Sequence, residues 1–174
     1  IDSLWEANMD LLNPNVPLEL YDPDWKIYSR NSAQPPHFVG GHAKVENSMI
    51  TEGCDVDGEI DFSILFSGVT VEEGAVVRDS IVMPGSVIRR GAVVQYAIVA
   101  ENCEIGAGSV VGERPECYAD SGKPWGIAVI GNNVSVAPGA KVYPCEIISQ
   151  NVGKEVMRQF LIYNHAETIQ SQTH

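Results

Sequence analysis

Residues 79–95 read DSIVMPGSVIRRGAVVQ, and the text on both sides repeats this stretch at a spacing of seventeen residues, from Phe62 to Asp79, Asp79 to Tyr96 and Tyr96 to Glu113. Superposing the repeats places Leu65, Val82 and Val99 in one column, Val71, Ile88 and Ile105 in a second, and Val77, Val94 and Val111 in a third. All nine positions are apolar. Three residues beyond the first two columns stand turn-formers: Gly68, Gly85 and Asn102, then Gly74, Gly91 and Gly108. The unit is therefore six, six and five residues. An apolar residue at every sixth position is not a helical stripe, and it is too sparse for one long strand. It fits an all-β fold, a parallel β-helix of hexapeptide repeats with about 17 residues per coil, in which three short strands each send one side chain inward. A single coil is an incomplete core until the next one stacks on it.

The same rhythm sets the boundaries. It begins near Val39, with Val45, Ile50 and Val56 as the first inward residues, and the first coil is irregular because Met49-Ile50 lies fifteen residues before Ile64-Leu65. It breaks over 113–126, a polar stretch with Pro115, Gly122 and Pro124, and resumes at Ile130, Val136 and Val142. The break reads as a loop thrown out from one corner. Residues 1–13 carry apolar positions at Ile1, Leu4, Trp5, Met9 and Leu12, a helix in need of a partner surface, with Asp2 or Ser3 as N-cap and Asn13-Pro14-Asn15 as its stop. Residues 14–38 read as an extended linker pinned by aromatics, 39–153 as the β-helix, and 154–174 as a C-terminal helix and tail, with Val156, Met157, Phe160 and Leu161 on one face. The chain opens at Ile1 without Met and goes straight into this helix, which reads as a piece of a longer protein.

With 23 acidic against 11 basic residues the formal net charge is −12, which argues against nucleic acid or an anionic membrane as a general partner. The cysteines, Cys54, Cys103, Cys117 and Cys145, form no CxxC pair, and no signal peptide or membrane span is legible. Reduced thiols in the cytoplasm are expected. Cys54 and Cys103 occupy the position just after the turn residue, where small packed residues also occur.

Several stretches in order carry a family likeness: Ser3-Leu4-Trp5-Glu6-Ala7-Asn8-Met9-Asp10-Leu11, then Leu20-Tyr21-Asp22-Pro23-Asp24-Trp25-Lys26-Ile27-Tyr28, Pro35-Pro36, Asn47-Ser48-Met49-Ile50-Thr51-Glu52-Gly53-Cys54 and Ser63-Ile64-Leu65-Phe66-Ser67. On these residues the chain resembles the C-terminal part of bacterial glucose-1-phosphate adenylyltransferases, the ADP-glucose pyrophosphorylases of glycogen synthesis. The resemblance implies a left-handed β-helix, against the usual right-handed crossover, joined to a nucleotidyltransferase domain of which residues 1–13 would be the last helix. It further implies that the nucleotide loop, the catalytic lysine and arginine and the Mg²⁺-binding aspartates lie on that other domain, so that this chain alone would be inactive. It implies tetramers, homo-oligomeric or formed with a related subunit, and small anionic effectors held between the two domains.

Other chemistries fit less well. A stand-alone hexapeptide acyltransferase needs a histidine base at a coil interface, and His37, His42, His165 and His174 all lie outside the regular repeats. A zinc hydration site of the β-helix type needs three histidines at coil spacing, which are absent. A non-catalytic subunit of the pyrophosphorylase family is equally compatible with a β-helix. Glu72, Glu73, Glu101 and Glu104 read as a solvated acidic face. Positive charge is scarcer, and Arg78, Arg89, Arg90, Arg114 and Lys123 are the candidates for binding an anionic effector, since forked donors hold phosphate well. No catalytic, cofactor-binding or metal residue is expected within the chain.

Overall fold

A computed structural model describes residues 1–15, 24, 33–119, 122 and 124–151. The described residues form a parallel β-solenoid of about six turns, built from three six-stranded parallel sheets. The first sheet stacks Phe38–Val39, Asp55–Val56, Thr70–Val71, Val87–Ile88, Glu104–Ile105 and Ser135–Val136. The second stacks Lys44–Glu46, Glu59–Asp61, Val76–Arg78, Val93–Gln95, Val110–Val111 and Lys141–Val142. The third stacks Met49–Ile50, Ile64–Leu65, Ile81–Val82, Ala97–Val99, Ala128–Ile130 and Ile147–Ile148.

The three apolar columns are the core. Leu65, Val82 and Val99 lie in direct register, as do Val71, Ile88 and Ile105, and Val77, Val94 and Val111. All nine are buried, none more than 1% exposed. Two corners of each coil turn where the sequence places its turn-formers, with φ of +70° at Gly68 and Gly85 and +55° at Asn102, then +73°, +67° and +64° at Gly74, Gly91 and Gly108. Cys54 and Cys103 are buried beside the first of these corners with free thiols, which burial pushes up from the usual range.

The third corner works without glycine. Asn47, Phe62, Asp79 and Tyr96 all have φ between +43° and +47°, a region that side chains with a Cβ rarely enter. The residue that follows is often serine, and it ties the corner to the next coil. Ser63 Oγ donates to the carbonyl of Asp61 (2.8 Å) and accepts the Ser80 N–H (3.2 Å), and Ser80 Oγ donates to the carbonyl of Arg78 (2.6 Å) and accepts the Ala97 N–H (3.1 Å). The Ser63 and Ser80 hydroxyls are thus partnered as donor and acceptor, and the strained turn is held by bonds on both sides.

The irregular spacing belongs to one corner. The inward residues Val71 and Val77 are six apart, whereas their neighbours in register, Val56 and Ile60, are four apart, so the corner at Asp57-Gly58 lacks two residues. Val45 keeps its register with Ile60 but is 38% exposed, as Val39 is 45% exposed, because no described coil covers that end of the stack.

Helix α1 (Asp2–Met9) starts at Asp2 with Ile1 in the N-cap position, earlier than a cap by Asp2 or Ser3 would allow. The Leu4 and Trp5 N–H groups both bond the Ile1 carbonyl. Its partner surface is the outer face of the third sheet, where Met9 and Leu12 pack with Ile64, Ile81, Ile98 and Ile127, flanked by Trp5, Tyr96 and Trp125. Strand alternation explains this face: Ile64, Ile81 and Ile98 each precede an inward residue and so point outward, a fourth apolar column. The interruption at 113–126 leaves the third corner after Gly112, forms the short helix α2 (Pro115–Tyr118), and returns so that Ala128 N–H bonds the Tyr96 carbonyl. Trp125 Nε1 donates to the Glu113 carbonyl (2.7 Å), closing its neck. Most of the linker and the expected C-terminal helix over 154–174 lie outside the described residues. No helix among those described is long and apolar enough to cross a membrane.

Candidate functional site

The corner between the first and second sheets gathers most of the paired charge. Arg89 follows the inward Ile88, so its side chain leaves the coil at this corner and reaches one coil in each direction. Its Nη1 meets Glu72 Oε1 at 2.7 Å and its Nε meets Glu104 Oε1 at 2.8 Å, bridging three coils. The second oxygen of Glu72 accepts the Arg90 N–H (2.8 Å), while Arg90 Nη1 pairs with Glu73 Oε2 at 2.9 Å. These donors hold the Glu72 carboxyl below the usual range, Arg89 contributing most, and the two glutamates raise the Arg89 pKa further. The acidic residues expected as a solvated face are, for Glu72, Glu73 and Glu104, the partners of these arginines.

Arg78 lies apart from that pair, on the second sheet in register with Asp61 and Gln95. It forms an ion pair with Glu59, whose carboxyl it holds low, and its buried Nε has no hydrogen-bond partner among the described residues. Arg114 stands at the N-cap of α2, exposed, with no ion pair among the described residues. Its charge adds weakly to the lowering of Glu59 that Arg78 causes, and at Asp79 it opposes the rise that burial causes. Lys123 lies outside the described residues. The four described candidates therefore do not converge: Arg89 and Arg90 share one corner, Arg78 and Arg114 the neighbourhood of Glu59 and Asp79.

A second cluster escaped the sequence reading. Asp79, half-buried at the third corner, sits under the aromatic group that anchors α1. Trp5 Nε1 donates to its backbone carbonyl (2.7 Å), the Trp5 and Tyr96 rings lie 5.9 Å apart, and Trp125 meets Tyr96 edge-on at 5.2 Å. Burial first, then the nearby Asp61, push the Asp79 carboxyl up, and burial with the Asp79 charge raises the Tyr96 phenol. The signal was present, because Asp79 and Tyr96 head their repeats, but nothing in a single sequence said that these heads turn the third corner. Of the histidines, His37 is exposed, His42 sits at the first coil's corner against Asp57, and His165 and His174 are outside the described residues.

Residues 35–130 match the family of GlmU-like, C-terminal hexapeptide domains. The chain belongs to this family. Over 81 residues, 47% of its length, it is 54% identical to the glucose-1-phosphate adenylyltransferase of Clostridium beijerinckii and to those of Bacillus thuringiensis and Bacillus anthracis. The match falls in the C-terminal region of those proteins and covers 21% of the first and 22% of the others. The hexapeptide chain therefore spans about a fifth of the length of the relatives it matches.

Proposed function

We propose that this chain is the C-terminal regulatory and assembly part of a glucose-1-phosphate adenylyltransferase, a cytoplasmic enzyme of glycogen synthesis. The observation that carries the reading is the 54% identity, over 81 residues, to proteins of that name. In the reaction, an oxygen of the glucose 1-phosphate phosphate attacks the α-phosphorus of ATP, the bond to the β-phosphate oxygen breaks, and ADP-glucose and pyrophosphate result. Mg²⁺ supplies charge neutralisation on the phosphates when bound. The donor chemistry here does not fit that ion: the mixed cluster of His42, Asp57 and Glu73 contains an imidazole and adjoins Arg90, whereas Mg²⁺ prefers an all-oxygen shell shared with substrate phosphate. On the family resemblance, the catalytic groups and Mg²⁺ would lie on a part of the enzyme outside this chain.

The role of this part is to dock, to assemble and to transmit effector binding. Subunit contacts to form a tetramer, with identical or related subunits, would use the flat sheet faces. Effector anions are the expected small ligands, and the arrangement ranks the candidates. Arg78 and Arg89 are committed to glutamates and Arg90 is paired with Glu73 through one nitrogen, whereas Arg114 is exposed with no ion pair among the described residues. In the full-length enzyme, Arg114→Ala should shift the response to sugar phosphates, orthophosphate or AMP more than Arg89→Ala does, with unregulated turnover preserved in both. The chain alone should release no pyrophosphate from ATP, glucose 1-phosphate and Mg²⁺. Turnover by the isolated chain refutes the division of roles, and unaltered effector responses in Arg114→Ala refute the ranking.

A further inference from the structure

The corner that lacks two residues leaves a gap in the side of the solenoid. Because the second coil turns early at Asp57-Gly58, groups of the first and third coils face each other across a notch of about 400 Å³ whose lining includes His42, Asp57, Glu73 and Arg90. A ring nitrogen of His42 and one carboxylate oxygen each of Asp57 and Glu73 lie within 4.8 Å of one another. Asp57 is fixed in this position. Its Oδ1 accepts the His42 N–H at 3.0 Å, and its side chain lies so close to Gly40 that a Cβ there would come within 2.2 Å of the same oxygen. Its Oδ2 is 3.2 Å from His42 Nδ1.

We propose that His42, Asp57 and Glu73 form a site for a divalent transition-metal ion of the Zn²⁺ class, which staples the first three coils together at this notch. One imidazole and two carboxylates make a common donor set for such ions, with metal–ligand distances of about 2.0–2.2 Å. Tetrahedral ligands at those lengths stand about 3.3 Å apart, close to the 3.2 Å separation of the His42 and Asp57 atoms. Glu73, whose carboxylate oxygen lies within 4.8 Å of the other two ligand atoms, completes the set by rotating its side chain toward them, and the fourth position is left to water. His42 ligates through a neutral imidazole nitrogen. Arg90 is the built-in competitor. It now neutralises Glu73 at 2.9 Å, and a bound cation would take over that task.

The test is calorimetric titration of the chain with Zn²⁺, in a Cys117→Ser, Cys145→Ser background so that the two exposed thiols do not compete. One equivalent should bind and raise the melting temperature. His42→Ala and Glu73→Gln should each weaken binding by roughly tenfold or more, while Arg90→Gln should tighten it several-fold by removing the competing charge. The exposed His42 side chain makes its variant safe for folding, and unchanged metal-free melting checks this. No saturable binding, or affinity that His42→Ala and Glu73→Gln both leave untouched, overturns the proposal, as does weaker binding in Arg90→Gln.

Discussion

Gly58 passes directly beneath the carbonyl of Ala75 in the next coil: a Cβ at position 58 would fall 2.5 Å from that oxygen and 2.9 Å from the carbonyl of Glu72. The contact follows from the two missing residues, which draw the second coil's corner inward under the third. Both nearby atoms are backbone, so neither can swing aside.

Gly58→Ala should therefore destabilise the chain by about 1–3 kcal/mol, the range for overpacking a close contact. Gly41, where a Cβ would meet nothing within 4 Å, is the control, and Gly41→Ala should stay within about 0.5 kcal/mol. Urea unfolding of both variants measures the difference. Equal effects would mean that the tight corner is not a constraint.

The core columns give a second expectation. Val94 is fully buried between Val77 and Val111, whereas the next residue, Gln95, is half-buried at the outside beside Arg78. Val94→Asp places a carboxylate among stacked hydrocarbon and should cost several kcal/mol, on the order of 3–5. Gln95→Asp gives up only a long 3.4 Å contact to the Gly112 carbonyl and gains a neighbour of opposite charge, so a change within about 0.5 kcal/mol is expected. Thermal melts of the pair report directly on which side chains face inward.

Why was the fold legible when the charged groups were not? The solenoid is periodic, and Leu65, Val82 and Val99 state the same constraint three times, so register follows from the columns alone. The glycine corners are equally explicit, because few residues tolerate φ near +70°. Phe62, Asp79 and Tyr96 conceal the third corner, since three unlike residues take the positive φ there, and only the first two are followed by a serine that bonds back across the turn. The notch was out of reach for a different reason. His42, Asp57 and Glu73 are separated by fifteen and sixteen residues, away from the regular seventeen, and only the location of the deletion shows that they face one another. Pairing of Arg89 with Glu72 and Glu104 follows from seventeen-residue and fifteen-residue neighbours across coils, but scarcity of positive charge by itself did not distinguish a ligand site from internal ion pairs.

The Arg89 bridge should show itself in acid. Arg89 holds the Glu72 carboxyl below its ordinary value near 4.5, and a carboxyl depressed in the folded state binds fewer protons there than in the unfolded chain. Its contribution is present above pH of about 4.5 and is lost as pH falls through the depressed value. Arg89→Gln should therefore be less stable than the parent at neutral pH, by at most about 1 kcal/mol because the pair is exposed, and the gap should close as the solution is acidified. Added salt should narrow it too. A gap that persists unchanged at low pH would assign the loss to packing of the arginine stem.

Asp79 has the opposite sign. Its carboxyl is raised above the ordinary value of 3.8, by burial first and then by the charge of Asp61, so the folded chain binds a proton more readily than the unfolded one. Stability then falls as pH rises from about 3.8 through the raised value, and the full penalty is present at neutral pH. Asparagine removes the charge, keeps the shape and tolerates the φ of +46° at this position. The Trp5 indole bonds the backbone carbonyl of residue 79, so the anchor of α1 survives the change. Asp79→Asn should thus stabilise the chain at pH 7 by about 0.5–1 kcal/mol. The advantage should shrink on acidification and vanish below about pH 3.8, where the parent is protonated as well. Urea unfolding followed by tryptophan fluorescence across this range measures it. Destabilisation at neutral pH would mean that the Asp79 charge is needed where it stands, for instance to hold Arg114 against the third corner.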